Sequence, residues 1–369
     1  MRLKTIAETL KSLLPTKQPV ILWGPPGVGK SQIIAQTAVA MGVDLIDVRA
    51  VLLDPVDLRG LPHVESGQAH WASPAFLPHD HAEIIEGEVV ESSTGLTAPA
   101  KRGAGKGGIL LLDEIDKAPP LVQNACLQLT LDRKIGEYTL PDNWYVMAAA
   151  NRIEDRAGGH KMGTALSSRF LHLDVTVDNK DWIEWALSAG IHGSIVGYIR
   201  WRPDALHPWG KKGTNQRDLS NAGDRTFPSP RTWEFVSRVV DHVPASSVRE
   251  VVAGCVGPAA SAEYCNFLEV YRALPDPDAM LNNPDTCDVP SEVNVIWALC
   301  GYVAERARNA DVKLQGNITR LLKRFPKEFG LRGVQDCVIA NRGMATEPNL
   351  VQWFQNDPKL CAAVLGGTA

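Results

Sequence analysis

Four short segments rich in apolar residues divide the first half of the chain, and polar or turn-forming residues bound each of them. They occupy residues 19–23, 43–48, 108–112 and 144–150. Short, nearly continuous apolar segments are typical of strands that are covered on both faces, as in a parallel sheet. Helical spacing of apolar residues follows at 31–41 and 121–131. This alternation predicts an α/β domain.

Helical periodicity dominates both ends of the chain. In residues 1–18, the apolar positions Ile6, Leu10, Leu13 and Leu14 recur at helical spacing, so we expect this segment to pack against the α/β domain. After an alternating strand that ends at Val177, helical patterns continue to the C-terminus. We therefore predict two domains, an α/β domain over 1–177 and a helical region over 178–369.

Composition restricts the class of protein. Charged residues make up 22% and hydrophobic residues 44%, which is typical of a soluble globular protein, and the net charge of −4 does not favour a generally nucleic-acid-binding surface. No apolar run approaches the ~20 residues of a membrane span, and the N-terminus lacks the apolar core of a signal peptide. The seven cysteines are scattered and include no C-x-x-C, so we expect reduced thiols in a cytoplasmic protein.

The clearest motif is 24-GPPGVGKS-31, which fits G-x-x-x-x-G-K-[ST] between a predicted strand and a predicted helix. Its glycines allow backbone N–H groups to converge on a phosphate, and the helix N-terminus adds partial positive charge. Lys30 can reach the β- and γ-phosphates, and Ser31 can bind Mg²⁺. A chance glycine turn is the alternative. The predicted nucleotide-binding residues are Gly24, Pro25, Pro26, Gly27, Val28, Gly29, Lys30, Ser31, Gln32 and Asp113.

Two carboxylates, Asp113 and Glu114, follow the third apolar segment. Buried carboxylates without partners are costly, so we expect a cation beside them. Asp113 suits a contact to Mg²⁺ through water, which makes Ser31 and Asp113 the predicted metal-binding residues. Glu114 can polarise the water that attacks the γ-phosphate. The alternative is a pair of ordinary strand-end acids, which the lysine loop makes less plausible.

Two predicted hairpins and one insertion interrupt the α/β pattern. The hairpins lie at 61–75 and at 133–142. Trp71 in the first hairpin either grips a substrate or anchors the loop to the core, and we favour the anchor. Residues 79–106 contain few large apolar groups and predict a mobile surface insertion of unknown role. Its opening segment, 79-HDH-81, resembles a metal site, but adjacent polar loop residues without further ligands are usually solvated.

Five features occur in the order found in AAA+ ATPases, which the chain resembles over about residues 19–177 and more faintly through residue 243. They are the lysine loop, the Asp-Glu strand, a strand that ends in Asn151, 166-LSSRF-170 and 229-SPR-231. Within that superfamily the chain most resembles the MoxR group, on 54-DPVDLRG-60, 112-LDEIDKAPP-120, 133–142 and 147-MAAANR-152. The resemblance implies a P-loop AAA+ core, with a five-stranded parallel sheet flanked by helices, followed by an all-α lid and a C-terminal helical region.

The resemblance also implies roles for polar residues around the site. Asn151 looks like sensor 1, which helps to place the attacking water near Glu114. Arg169 looks like the arginine finger, which completes the site of a neighbouring subunit and is worth roughly 10³–10⁵ in rate in other P-loop enzymes. Arg152 and Arg156 are alternative candidates for that contact, although surface salt bridges are the simpler interpretation. The two hairpins resemble the helix-2 insert and the pre-sensor-1 hairpin, which face a central pore in relatives.

Arg231 lies in the first turn of a helix that Ser229 and Pro230 predict to begin there. A cation in the first turn opposes the helix dipole, and a nearby anion would reverse that cost. The γ-phosphate is the candidate anion, and the position resembles sensor 2 of the family. An ion pair between Arg231 and Glu234 is the alternative.

Together these features predict an ATPase that uses ATP and Mg²⁺. The predicted catalytic residues are Lys30, Glu114, Asn151, Arg169 and Arg231. The MoxR resemblance implies a ring of six subunits that remodels or activates a protein or complex, with a partner that bears a von Willebrand factor A domain. Two other hypotheses stay open: a nucleic-acid-directed P-loop NTPase of the restriction or helicase kind, and a scaffold that binds nucleotide without turnover. The preference for ATP over GTP comes from the family alone.

Overall fold

The structure is a computed structural model that describes residues 1–79, 107–152, 155, 162–208, 226–356, 361 and 364. These residues fall into two units, Met1–Val177 and Asp178–Ala369. The predicted insertion, from residue 80 onward, lies outside the described residues, and so does Arg156.

The first unit contains a five-stranded parallel sheet and two hairpins. The strands are β1 (Val20–Trp23), β2 (Asp44–Arg49), β3 (Leu61–Glu65), β4 (Gln68–Ala72), β5 (Gly108–Asp113), β6 (Lys134–Ile135), β7 (Tyr138–Thr139), β8 (Trp144–Ala150) and β9 (Leu171–Asp174). The parallel sheet has the order β2-β5-β8-β1-β9, which confirms the predicted five-stranded sheet. In a parallel sheet the carboxyl ends of all strands lie along one edge, so the loops that follow neighbouring strands lie close together there.

Helices cover both faces of this sheet. They are α1 (Leu3–Leu13), α2 (Lys30–Met41), α3 (Pro55–Arg59), α4 (Pro120–Asp132) and α5 (Thr164–Ser167). Alternate residues of β5 point to opposite faces of the sheet. Ile109 belongs to an apolar cluster with residues of α1 and α2, and Leu110 belongs to a second cluster with residues of α3, α4 and α5. This double burial is the reason for the continuous apolar run. The N-terminal helix packs against the sheet as predicted, through the buried residues Ile6 and Leu10.

The two hairpins pair separately from the main sheet. Strands β3 and β4 form one antiparallel pair, and β6 and β7 form the other. The turn of the first hairpin places Ser66 and Gly67 at positive φ, as a two-residue hairpin turn requires. Trp71 is 41% exposed, so the expectation that it anchors the hairpin to the core is wrong. The reason is that both strands of this hairpin lie outside the two apolar clusters of the sheet.

The second unit is helical. Its helices are α6 (Asn179–Ala189), α7 (Gly193–Trp201), α8 (Pro230–Val239), α9 (Val248–Val256), α10 (Pro258–Arg272), α11 (Pro277–Asn282), α12 (Val293–Ala307), α13 (Val312–Lys323), α14 (Lys327–Ala340) and α15 (Pro348–Asn356). Helices α7 and α12 approach closely because Gly193 and Gly301 meet at their crossing. Among the described residues, none of the helices combines the length and the hydropathy that a membrane span requires. All seven cysteines lie within that part, and none forms a disulfide.

Candidate nucleotide-binding site

The phosphate loop connects β1 to α2 at the carboxyl edge of the sheet. Gly27 and Gly29 have φ values of 78° and 95°, in the left-handed region that favours glycine. Helix α2 begins at Lys30, one residue before the predicted start. The first N–H groups of a helix lack partners within that helix, so the amides at this end are suited to bind an anion.

Lys30 lies inside this loop rather than on the surface, with 9% of the residue exposed. Its Nζ donates to the carbonyl oxygens of Gly24 and Pro25, at 2.7 and 3.0 Å. It also donates to Oδ1 of Asn151 at 2.9 Å. The hydrogen bond between Lys30 and Asn151 therefore joins the phosphate loop to the end of β8, and both residues were predicted from sequence to belong to the site.

A second contact joins α2 to the end of β5. The Ser31 hydroxyl donates to Oδ2 of Asp113 at 2.7 Å, and Oδ1 of Asp113 accepts the Glu114 amide at 2.9 Å. A hydroxyl and a carboxylate are hard oxygen donors that suit Mg²⁺. No cluster of three or more His, Cys, Asp or Glu side chains that could hold a metal occurs in the described residues. The two oxygen ligands that Ser31 and Asp113 offer fit Mg²⁺, which keeps several waters and takes phosphate oxygens as further ligands.

Glu114 begins the turn that follows β5. Its φ is 54°, which is uncommon for a residue other than glycine. Lys117 donates from Nζ to Oε1 of Glu114 at 2.8 Å. The Gln123 amide donates to the carbonyl oxygens of Ile115 and Ala118, each at 3.2 Å, and so holds the turn from α4. The side chain of Glu114 is 37% exposed, which leaves it accessible to water.

The same turn carries a carboxylate that sequence reasoning missed. Asp116 is 2% exposed, and neither of its carboxylate oxygens has a hydrogen-bond partner among the described residues. Burial raises the pKa of Asp116, and the backbone N–H of Asn151 and the charge of Lys30 are among the groups that oppose this rise. Asp116 lies within the motif 112-LDEIDKAPP-120, but its burial is set by packing of the turn against β8, which no spacing of residues predicts.

A further acidic group lies on the neighbouring strand. Burial and then the charge of Asp113 raise the pKa of Asp47 in β2, and Arg49 opposes them. Strand β2 pairs with β5 so that Arg49 lies opposite Asp113. Asp47 was not predicted from sequence as a site residue, because it lies within the predicted strand 43–48 and belongs to no recognised motif.

The arginines near β9 have different surroundings. Arg169 lies between α5 and β9, and its guanidinium donates to the carbonyl oxygen of Ala165. Arg152 donates from Nε to Oδ1 of Asp174 at 3.0 Å, which supports the salt-bridge interpretation for that residue.

Arg231 belongs to the second unit. Ser229 caps α8 as predicted: its hydroxyl accepts the Thr232 amide at 3.2 Å. Arg231 is exposed in the first turn. The predicted alternative, an ion pair with Glu234, is wrong within the described part of the chain, because Glu234 pairs with Arg238 instead. A contact between Arg231 and a nucleotide stays a prediction.

Comparison with known proteins gives one family match. Residues 19–170 match the model of the AAA domain, dynein-related subfamily. No curated protein matches the chain. The chain is similar to NtrX from Brucella abortus in complex with ADP, at 15% identity over 86% of this chain and 62% of that chain, with a TM-score of 0.39. It is also similar to RuvB, the Holliday junction branch migration motor of Thermotoga maritima, at 14% identity over 82% and 80%, with a TM-score of 0.36.

Proposed function

We propose, from the premise that residues 19–170 are an AAA domain with the AAA+ P-loop fold, that this chain hydrolyses ATP to ADP and phosphate. One observation carries the proposal: the ends of two strands, β8 and β5, contact the phosphate loop and the start of α2. Asn151 contacts Lys30 from the end of β8, and Asp113 contacts Ser31 from the end of β5. A lysine, an amide, a hydroxyl and a carboxylate thus surround the N-terminus of α2. These groups are the ones that phosphoryl transfer to water uses.

Each group has a chemical role in this mechanism. The amides of the loop and Lys30 bind the β- and γ-phosphates, which would draw the Lys30 ammonium away from its present carbonyl partners. Ser31 and Asp113 would hold Mg²⁺, which when bound neutralises charge on the phosphate oxygens. Glu114 accepts a proton from the attacking water, and the Asn151 amide orients that water. The partly exposed position of Glu114 is compatible with both water entry and proton release.

Hydrolysis by purified protein tests this proposal. Wild-type chain should release phosphate from Mg·ATP, and Glu114→Gln should bind ATP but lose turnover. Lys30→Ala should lose binding, because a hydrogen bond to a charged group is worth about 1.5–3 kcal/mol, or roughly 10- to 150-fold in affinity. Asp142→Asn is the matched control, since Asp142 is an exposed acid on the same unit, paired with Lys17. ATP affinity of Lys30→Ala within threefold of wild type would contradict the role of the loop, and unchanged turnover in Glu114→Gln would favour the scaffold hypothesis.

We further propose that Arg169 acts on the nucleotide of a neighbouring subunit in a ring. The support is that Arg169 lies beside the edge strand β9, while its own phosphate loop already has Lys30 and Asn151 in contact. Arg169→Ala should bind ATP but lose most turnover. A mixture of Arg169→Ala and Lys30→Ala chains should recover part of the hydrolysis, because each supplies what the other lacks. No recovery in the mixture, with both variants assembled, would refute action between subunits.

The client is proposed to be a protein, with a von Willebrand factor A domain protein as partner. Leu61 and Val64 of β3 are 67% and 76% exposed, and Trp71 of β4 is also exposed, so the first hairpin offers apolar side chains to a partner. Affinity capture with Glu114→Gln and ATP, against Lys30→Ala as the control, should retain such a partner only with Glu114→Gln. Salt-dependent DNA binding, with no protein retained, would favour the nucleic-acid-directed NTPase instead.

A further inference from the structure

Trp23 is the last residue of β1 and directly precedes Gly24 of the phosphate loop. In the pairing of β1 with β9, Ile21 lies opposite His172 and Trp23 lies opposite Asp174. Residues two apart on a strand point to the same face, so Trp23 and His172 are diagonal neighbours on one face of the sheet. The edge strand β9 therefore brings an imidazole to the strand that enters the phosphate loop.

Two hydrogen bonds fix the orientation and the tautomer of the His172 ring. The Trp23 indole donates from Nε1 to Nδ1 of His172 at 2.8 Å, and the planes of the two rings lie within 5° of each other. An indole N–H is only a donor, so Nδ1 is the nitrogen without a hydrogen. Nε2 is then the donor of the neutral ring, and it donates to the carbonyl oxygen of Ser167 at 2.8 Å.

The Ser167 carbonyl belongs to the segment that carries Arg169. Ser167 is the last residue of α5, and its carbonyl oxygen also accepts the Phe170 amide at 3.2 Å, which closes a turn around Arg169. The Arg169 guanidinium donates back to the Ala165 carbonyl oxygen of the same helix. His172 therefore joins the indole at the entrance of the phosphate loop to the turn that holds Arg169.

Stability alone explains this link poorly. His172 is exposed, and a hydrogen bond beside solvent replaces one to water, so its net contribution to the free energy of unfolding is small. Geometry depends on the link more strongly, because a displacement of ~1 Å in a positioned group costs up to ~100-fold in rate. Arg169 is the group near this link whose position matters in the proposed mechanism.

We propose that His172 is a positioning residue for Arg169, an inference that rests on the proposed action of Arg169 between subunits. By joining the end of α5 to Trp23, the imidazole fixes the main chain from which the guanidinium extends toward the nucleotide of a neighbouring subunit. His172 touches neither that nucleotide nor the attacking water. Its loss should therefore impair turnover in the neighbour and leave the binding of ATP in its own chain nearly unchanged.

Mixed chains test this proposal, because they separate the two sites that one chain serves. In a reference mixture, the Lys30→Ala chain supplies only Arg169, and the Arg169→Ala chain supplies only a working phosphate loop. With His172→Phe added to the Lys30→Ala chain, we expect the kcat of the recovered hydrolysis to fall at least about tenfold, with KM for ATP within about threefold of the reference mixture. With His172→Phe added to the Arg169→Ala chain instead, kcat should fall less than about twofold, because that chain supplies no guanidinium.

A second variant tests the same link from its other end. Trp23→Phe in the Lys30→Ala chain keeps an aromatic ring but removes the donor to His172, so it should also lower the recovered kcat. His242→Phe is the matched control, since His242 is an exposed histidine of the second unit, and it should leave recovery unchanged. The urea midpoint of each variant should stay within ~0.5 M of its parent chain, and the molecular mass of each mixture should stay the same.

The outcomes separate this inference from the proposals on which it depends. Full recovery with His172→Phe in the Arg169-supplying chain would overturn the inference and leave the action of Arg169 intact. Equal losses in both placements, or a loss that accompanies reduced assembly or a lower urea midpoint, would also overturn it, because His172 would then serve its own site or the fold. No recovery in the reference mixture would refute action between subunits, and no hydrolysis by the wild-type chain would refute the ATPase function itself.

Discussion

The crossing of α7 and α12 in the second unit allows a stability prediction with a defined sign. A Cβ atom added at Gly301 would lie 2.2 Å from the Gly193 carbonyl oxygen and 3.1 Å from the Gly197 amide nitrogen. Both contacts are to backbone, so no side-chain rotation can relieve them. Because ordinary contacts between heavy atoms need about 3.5 Å, the helices would have to separate by about 1 Å.

The magnitude follows from two opposing effects of Gly301→Ala. Overpacking of a well-packed core costs ~1–3 kcal/mol, and a contact between two backbones belongs at the upper end of that range. Alanine is preferred over glycine inside a helix by about 1 kcal/mol, which offsets part of the cost. We therefore expect Gly301→Ala to lower the free energy of unfolding by about 2 kcal/mol.

Gly254 provides a matched control within the same unit. It lies in α9, and a Cβ atom there would have no heavy atom within 4 Å. Gly254→Ala should therefore raise the free energy of unfolding by up to ~1 kcal/mol. Urea unfolding followed by fluorescence of the ten tryptophans gives both values. If the two units unfold separately, the shift should be confined to the transition of residues 178–369. Equal stability of the two variants would refute the reasoning.

Three further predictions concern the first unit and the partly buried His207. Mg²⁺ should raise ATP affinity about tenfold less in Ser31→Ala than in wild type, because the variant loses one oxygen ligand and the contact with Asp113. ATP titrations with and without Mg²⁺ measure this difference. The partly exposed guanidinium of Arg152 pairs with Asp174, so Arg152→Ala should lose no more than ~1 kcal/mol in free energy of unfolding. The variant should hydrolyse ATP at the wild-type rate. A large fall in turnover with little change in stability would contradict this prediction. Burial lowers the pKa of His207 from 6.5 to about 4. As pH falls, the His207 side chain is therefore protonated in the unfolded chain before it is protonated in the folded chain. The free energy of unfolding should fall as pH drops from 6.5 toward 4. Urea unfolding across that range should show a smaller loss in His207→Gln than in wild type.

The sequence predicted the sheet well because burial on both faces leaves a direct signal. The run at Ile109 and Leu110 is apolar without alternation for that reason, and the glycines of the phosphate loop mark a turn that only they adopt easily. The contact between Ser31 and Asp113 is also consistent with the sequence prediction, since the carboxyl ends of all parallel strands lie along one edge of the sheet, where α2 follows β1 and Asp113 ends β5.

Features that depend on packing between distant segments could not be predicted in the same way. Trp71 has the large apolar side chain typical of a core residue, and it is exposed because its hairpin pairs separately from the main sheet. Glu234 is three residues from Arg231 and four from Arg238, and a helix allows ion pairs at both spacings. The structure pairs Glu234 with Arg238. The burial of Asp116 depends on where its turn meets β8, which no local pattern encodes.

The central claim is that nucleotide bound at this loop is hydrolysed with help from an adjoining chain. The most direct measurement is phosphate release per chain from Mg·ATP over a series of protein concentrations, with the molecular mass determined at each one and Lys30→Ala as the baseline. We expect the rate per chain to rise as multimers form and to be near the baseline where the protein is monomeric. Rapid hydrolysis by a strictly monomeric chain, or rates equal to the Lys30→Ala baseline at every concentration where multimers exist, would contradict the account.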